Sequence, residues 1–169
     1  MGITLIYDHS FQSFQRPFTM RSTFFRPATL ALALLAVLPV CIAQTDAALS
    51  AASKEAGAKV TPSGLVYLSL KEGAGARPAA SDSVKVHYRG SFPDGREFDS
   101  SYKRNAPTEF PLNRVIACWT EGVQFMKVGG KAKLTCPASI AYGDRGAGGV
   151  IPPNATLQFD IELLGINGK

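Results

Sequence analysis

The sequence has few of the residues on which covalent and metal-dependent catalysis depend. It contains two histidines and three cysteines in 169 residues, and these are not spaced with carboxylates as in a typical metal site. The glycine-rich stretch GDRGAGG, residues 143–149, lacks the strand-to-helix context of a dinucleotide-binding loop. We therefore expect no metal ion and no cofactor, and a function that depends on shape and apolar surface.

A basic block is also missing. The formal net charge is +5, but three of the 18 Lys and Arg lie in residues 1–43, and the other 15 are spread along the chain among 12 Asp and Glu. Nucleic-acid-binding surfaces concentrate basic residues, often with aromatic residues between them. The charge pattern therefore argues against a nucleic-acid partner.

No apolar run is long enough to indicate a membrane span. The longest, of about sixteen residues, follows two arginines and precedes the small residues at 41–43. This order is typical of an export signal, so we expect residues 1–43 to be a signal peptide cut after Ala43, with Met20 as an alternative start. The prediction is a periplasmic protein without stable membrane insertion. A lipid anchor on Cys41 and an uncleaved anchor helix stay open as alternatives.

The segment behind this leader predicts no packed structure. Residues 44–61 are rich in Ala and Ser and show no apolar helical stripe, so we expect a flexible tail. Residues 62–169 are long enough for one domain with a core of its own. Because no dimerisation segment is left, we expect a monomer.

Three stretches of the domain alternate apolar and polar residues. They are SVKVHYRG, KAKLTC and TLQFDIELL, at 83–90, 131–136 and 156–164. The predicted inward residues are Val84, Val86, Tyr88, Ala132, Leu134, Cys136, Leu157, Phe159, Ile161 and Leu163. Such one-sided strands belong to an antiparallel sheet. His87 falls on the outer face, away from Tyr88, which argues against a Cys/His catalytic pair.

One segment follows a helical period instead. In CWTEGVQFMKVGG, Trp119, Val123 and Met126 share one face, Thr120 is expected to cap the start, and the glycines at 129–130 to stop the helix. A helix of about two turns is stable only when a sheet covers its apolar stripe. The predicted fold is α+β, a curved antiparallel sheet wrapped over one short amphipathic helix.

The domain has more aromatic and branched residues than are needed to pack against the apolar face of such a short helix. Ten of them are candidates for an apolar cup: Tyr88, Phe98, Phe110, Val115, Ile116, Trp119, Tyr142, Val150, Ile151 and Phe159. Ordinary core packing is the alternative interpretation. In the cup interpretation, Tyr88, Asp99 and Tyr142 place polar groups at its edge.

A set of motifs in fixed order resembles the FKBP-type peptidyl-prolyl isomerases, the tacrolimus-binding family. The motifs are VHYRG, DGREFDSSYKRNAP, FPLNRVIACWTEGVQFMKVGGKAKLT, IAYGDRG and VIPPNATLQFDIELL. The resemblance runs from about Ser63 to Leu164. The leader, PLNRVI and MKVGGKAKLTCP are similar to the exported bacterial members of that family.

The resemblance implies a role for each cup residue. Trp119 would be the floor under the substrate proline ring. The walls would come from Tyr88, Phe98, Phe110, Val115 and Phe159, and Val150 and Ile151 would close the cup. The Ile116 N–H and the Tyr142 hydroxyl would donate hydrogen bonds to substrate carbonyls, and Asp99 would lie against the carbonyl of the rotating amide. Arg104 would support Tyr88 and Asp99 without being a catalyst.

Three positions depart from the family pattern. Thr108 stands where an aromatic residue is usual, which implies a shallower wall and weaker macrolide binding. Ala147 replaces a bulkier loop residue, which leaves the substrate preference open. Cys118 precedes Trp119 where glycine is common.

Cys118 and Cys136 are the two cysteines that remain after the predicted cut. Export to an oxidising compartment and an even count favour a disulfide between them, which would hold the start of the helix that carries Trp119. Two buried thiols are the alternative.

The resemblance implies an enzyme that accelerates rotation about X-Pro bonds in folding periplasmic or envelope proteins. Its partners would be proline-containing polypeptides, with tacrolimus- or rapamycin-type macrolides as inhibitors. A non-catalytic module or holdase that binds proline segments in the same cup is the alternative function.

Overall fold

The computed structural model describes residues 40–167, which form two helices and seven strands. The helices are α1 (Val40–Ser53) and α2 (Ala117–Val123). The strands are β1 (Lys59–Val60), β2 (Val66–Lys71), β3 (Ser83–Ser91), β4 (Glu97–Ser100), β5 (Thr108–Pro111), β6 (Lys131–Cys136) and β7 (Leu157–Asn167). Short 3₁₀ turns follow β5 at Leu112–Arg114 and β6 at Ala138–Ile140. Most of the predicted signal peptide, including Met20, lies outside the described residues.

All strand pairings within the sheet are antiparallel. The strand order is β1-β2-β6-β7-β3-β4, and β5 also pairs with β3. One edge of β3 is shared, since residues 83–86 pair with β5 and residues 89–91 with β4. The last residue of β4 and the first residue of β5 both pair near the middle of β3. The side chains next to these two strand ends therefore meet around Tyr88.

The predicted alternation of the three strands is confirmed. In β7, Leu157, Phe159, Ile161 and Leu163 are all fully buried, and β3 and β6 bury their predicted inward faces in the same way. These residues form one core under α2. The predicted α+β fold is confirmed.

Helix α2 starts and stops earlier than predicted. Its N-cap is Ile116, without a side-chain cap, and it ends at Val123. The cap predicted at Thr120 is wrong, because this residue lies inside the helix and its hydroxyl donates to the Leu112 carbonyl, 2.6 Å away. At Gly122 a Cβ would approach Leu134 Cδ1 to 2.6 Å, so a larger residue would displace the Leu134 side chain where the helix packs on β6.

The segment at 44–61 has more regular structure than expected. The helix α1 covers its first part, and β1 pairs with β2 in its last part. An Ala-rich sequence favours a helix through backbone propensity alone, so the missing apolar stripe did not reveal it. Ala52 is buried, and Lys133 Nζ lies 3.5 Å from Glu55 Oε2. The domain boundaries and the cut after Ala43 stay predictions.

Candidate active site

The aromatic residues predicted for a cup surround Trp119 in the structure. The Trp119 indole is fully buried, and the rings of Tyr88, Phe110 and Phe159 meet it nearly at right angles, with centroid distances of 5.2, 5.5 and 5.4 Å. Phe98 packs edge-on against Phe159 at 5.7 Å. Edge-to-face packing of this kind fixes each ring relative to its neighbours. The result is a rigid aromatic cluster built from α2, β3, β4, β5 and β7.

Val115 and Ile116 lie where β5 turns into α2 and pack, partly buried, against this aromatic cluster. The Ile116 carbonyl accepts hydrogen bonds from the N–H groups of Trp119 and Thr120, at 2.9 and 3.1 Å. The Ile116 N–H donates to none of the described residues. This backbone donor is therefore available to a ligand.

A buried carboxylate is held beside Tyr88 by three donors. Asp99 Oδ1 accepts from Arg104 Nη1 at 2.5 Å and from the Ser100 N–H at 2.8 Å, while Oδ2 accepts from the Tyr88 hydroxyl. Arg104 Nη2 also donates to the Tyr88 oxygen, at 2.9 Å. This closed set of hydrogen bonds, which we call the Tyr88 triad (Tyr88, Asp99 and Arg104), orients the phenol ring that is predicted to form one wall of the cup.

Burial and, to a smaller extent, the hydrogen bond to Asp99 together raise the pKa of Tyr88 to about 12, against the opposing effect of Arg104. Burial also raises the pKa of Tyr142, with smaller contributions from Tyr88 and the negative charge of Asp99. Both phenols are therefore protonated at neutral pH and can serve as hydrogen-bond donors.

Two buried donors in this region have no acceptor among the described residues. They are the Tyr142 hydroxyl and the Trp119 Nε1–H. A buried polar group without a partner costs folding free energy, and most such groups in proteins are satisfied. An unpaired Tyr142 hydroxyl coupled electrostatically to the Tyr88 triad is the arrangement expected where a ligand supplies the acceptor.

The loop from Tyr142 to Pro153 closes on itself through Ala147 and Ile151, which exchange two backbone hydrogen bonds of 2.9 Å. Gly146 has φ +64°, and a Cβ there would collide with the Ile151 carbonyl oxygen, so the turn requires glycine. The loop separates the two residues predicted to close the cup. Ile151 is buried in the core, whereas Val150 is 45% exposed at the tip.

A family model for FKBP-type peptidyl-prolyl cis-trans isomerases matches residues 75–164. The chain belongs to this family. It is 56% identical over 118 residues to the isomerase FkpA of Aeromonas hydrophila, a match that covers 70% of this chain and 44% of the relative. It is 50% identical over 114 residues to the 22 kDa FKBP-type isomerase of Escherichia coli, covering 68% of this chain and 55% of the relative.

Two solved structures share the fold. The crystal structure of FkpA from Escherichia coli matches with a TM-score of 0.72 and 46% identity, over 74% of this chain and 58% of that one. An isomerase from Pseudomonas syringae matches with a TM-score of 0.70 and 35% identity, over 76% of this chain and 96% of that one. The chain spans about half the length of the curated relatives it matches.

The FKBP domain contains a disulfide between Cys118 and Cys136, whose Cα atoms are 5.9 Å apart. It joins the first turn of α2 to the last residue of β6. Both cysteines are fully buried. The bond fixes the start of the helix directly before Trp119.

Ser101 is a buried residue of the site that the sequence reasoning missed. Its hydroxyl oxygen accepts from the Tyr88 N–H at 2.8 Å and lies 2.9 Å from His87 Nδ1. The His87 ring stacks on Tyr102 on the outer face, as strand parity predicts. Ser101 thereby ties β3 to the chain after β4. Its only sequence signal is its place two residues after Asp99 in the motif DSSYKRN.

Neither α1 nor α2 has the length and apolarity that crossing a bilayer requires. Within residues 40–167, no three His, Cys, Asp or Glu side chains are grouped as metal ligands.

Proposed function

We propose that this FKBP domain accelerates cis/trans rotation about X-Pro peptide bonds in polypeptides. The observation that carries the proposal is the buried Tyr142 hydroxyl, which has no partner among the described residues and belongs to the same region as the Trp119 aromatic cluster. A donor of this kind lowers the free energy of a bound state only if the ligand brings an acceptor. The carbonyl groups that flank a proline are such acceptors.

The reaction needs no nucleophile, because no bond is broken. Resonance gives the amide a rotation barrier of roughly 18–20 kcal/mol, and uncatalysed exchange at X-Pro takes tens to hundreds of seconds. Resonance also places negative charge on the carbonyl oxygen, so an apolar surrounding disfavours the planar amide relative to the less polar twisted one. Lowering the barrier by ~4–7 kcal/mol gives an acceleration of about 10³ to 10⁵.

Each part of the site has a place in this mechanism. The proline ring rests on Trp119, between the walls formed by Tyr88, Phe98, Phe110, Val115 and Phe159. The Tyr142 hydroxyl and the Ile116 N–H donate to substrate carbonyls. Donors positioned for the rotated carbonyl stabilise the transition state more than the ground state, which is the condition for catalysis.

Asp99 acts through position and charge, not as an acid or base. Its two oxygens already accept from Arg104, Ser100 and Tyr88. The carboxylate sets the orientation of the Tyr88 ring and lies against the carbonyl of the rotating amide. Arg104 is a positioning residue in the same set.

We further propose that the protein acts on exported polypeptides in the periplasm as a monomer, and that tacrolimus- or rapamycin-type macrolides compete for the cup. The leader-like composition of residues 1–43 and the Cys118–Cys136 disulfide support an oxidising compartment. The Thr108 position is expected to weaken macrolide binding relative to members with an aromatic residue there.

The test is the rate of cis/trans exchange of a short X-Pro peptide, measured by NMR with the full oxidised chain present, with and without tacrolimus. We expect acceleration that the drug abolishes. A folded, oxidised chain that binds the peptide without accelerating exchange would overturn the enzymatic proposal in favour of the holdase alternative.

A further inference from the structure

A groove lies beside the loop, on the side of Ile151 that faces the turn between β3 and β4. It has a volume of about 390 Å³ and is lined by the loop tip from Arg145 to Pro153 together with Phe92 and Arg96. We call it the arginine groove. Val150 and Ile151, assigned above to the closure of the cup, also line it. The groove therefore shares two residues with the proposed cup.

The charge of the groove has one sign. Among the described residues that line it, Arg96 and Arg145 are ionisable, and the others are glycine, apolar residues and proline. Arg145 makes no ion pair or hydrogen bond with any described residue. A surface with two cations and no lining carboxylate favours an anionic occupant.

The exposed Arg96 guanidinium contacts two neighbouring side chains. Its carbon lies 5.0 Å from the centroid of the Phe92 ring, and its Nε lies 2.7 Å from Asp94 Oδ2. Asp94 thus offsets part of its charge, but the two terminal nitrogens keep their donor capacity. Arginine offers donors in a planar fork that matches a carboxylate.

The loop tip adds backbone donors to this wall. Among the described residues, the N–H groups of Gly148 and Gly149 have no hydrogen-bond acceptor. Both glycines have positive φ, at +56° and +67°, and both are exposed. At these two residues the loop tip therefore offers free backbone N–H donors to a bound polypeptide, and no side chain blocks access to them.

We propose that the arginine groove binds an acidic side chain of the substrate polypeptide, a few residues from the proline whose bond rotates. This inference rests on the proposed function and names the substrate class that the site prefers, proline segments flanked by Asp or Glu. Arg145 is the main specificity residue, because it forms no ion pair with any described residue, and Arg96 is the second.

The test compares kcat/KM of the full chain for X-Pro peptides that carry Glu, Gln or Lys at each of four positions on either side of the proline. At low ionic strength we expect kcat/KM for the Glu peptide to exceed that for the Lys peptide about twofold to fivefold at one or two positions, the upper part of the range for exposed ion pairs. The ratio should fall toward one at high salt. It should also fall toward one in the Arg96→Gln/Arg145→Gln variant.

The matched control is Arg77→Gln, which removes one exposed positive charge outside the groove. We expect it to keep the Glu-to-Lys ratio of the unchanged chain. A ratio of one at every position, or a ratio that survives in the double arginine variant, would overturn the assignment of the groove.

A binding measurement separates this inference from the proposed function. The chain has a single tryptophan, Trp119, whose fluorescence reports peptide affinity without any turnover. If the Gln peptides bind but are not isomerised while the Glu peptides bind more tightly through the arginines, the proposed function fails and the groove assignment stands. If Gln peptides are isomerised but Glu and Lys peptides bind equally, the groove assignment fails alone.

Discussion

The ring of Tyr88 meets the indole of Trp119 edge to face, with centroids 5.2 Å apart and planes at 83°. The hydroxyl of the same tyrosine donates to Asp99 and accepts from Arg104. One side chain thus belongs both to the aromatic cluster around Trp119 and to the Tyr88 triad. A change in the triad is therefore transmitted to the surface on which the proline ring is proposed to rest.

Replacing Arg104 tests this coupling. Arg104→Met removes two donors and leaves the buried Asp99 carboxylate with Tyr88 and Ser100. Because Arg104 is partly exposed, we expect a moderate loss of stability, about 1–2 kcal/mol in urea unfolding, and a several-fold lower kcat/KM. Lys103→Met is the matched control, since Lys103 is exposed and its pair with Glu97 contributes at most about 1 kcal/mol. Equal effects of the two variants would contradict the coupling.

The disulfide is expected to stabilise the FKBP domain. Cys118 and Cys136 are 18 residues apart, and a closed loop of this size contributes roughly 3 kcal/mol in the chain-entropy model. Adding a reductant should therefore lower the urea midpoint, followed by Trp119 fluorescence. The Cys118→Ala/Cys136→Ala variant should start near that lower midpoint and no longer respond to reductant. If complete reduction left the urea midpoint of the unchanged chain the same, the stabilising role of the disulfide would be refuted.

The hydroxyls of Tyr88 and Tyr142 are expected to lose their protons at a higher pH than an exposed tyrosine does. The pKa of Tyr88 is raised to about 12, above the ordinary value of 10.0, so the folded state holds this proton more tightly than the unfolded chain. The associated stability is complete below pH 10 and is lost as the pH rises through about 12. Absorbance at 295 nm should show this transition, and Tyr88→Phe should remove it. A Tyr88 transition near pH 10 in the folded chain would contradict the account.

Gly146 and Gly148 in the loop differ in the physical reason that each position favours glycine. Gly146→Ala brings a Cβ against the Ile151 carbonyl in addition to the strain of a positive φ. Gly148→Ala meets no atom within 4 Å and carries the strain alone, about 1 kcal/mol. We expect Gly146→Ala to destabilise the domain by clearly more than this and to lower kcat/KM, because Ile151 must move. Comparable urea midpoints for the two variants would show that the close approach has no consequence.

The part of the fold that alternation specifies was predictable from sequence. In β7, four apolar residues at every second position leave one way to face the core, and the same holds for β3 and β6. The strands β4 and β5 carry no such pattern, since each has four residues and pairs with only part of β3. Their position depends on the turns that return the chain to β3.

The candidate site was predictable in its residue types but not in its hydrogen bonds. The family resemblance predicts that Tyr88, Asp99 and Arg104 lie together. Nothing in their spacing along the sequence specifies three mutual contacts. Ser101 was missed for the same reason. The cap at Thr120 was mispredicted because its hydroxyl donates to Leu112, a contact that depends on how the 3₁₀ turn meets α2. The helix α1 was missed because backbone propensity, not an apolar stripe, favours it.

The most direct test of the account is Tyr142→Phe, which removes only the buried hydroxyl that lacks a described partner. We expect kcat/KM for an X-Pro peptide to fall about tenfold, the value of one hydrogen bond of ~1.4 kcal/mol in the transition state. Affinity for the peptide, followed by Trp119 fluorescence, should change much less, and the urea midpoint should not fall. An unchanged kcat/KM, or a loss of rate matched by an equal loss of affinity, would contradict the claim that Tyr142 acts on the rotating amide.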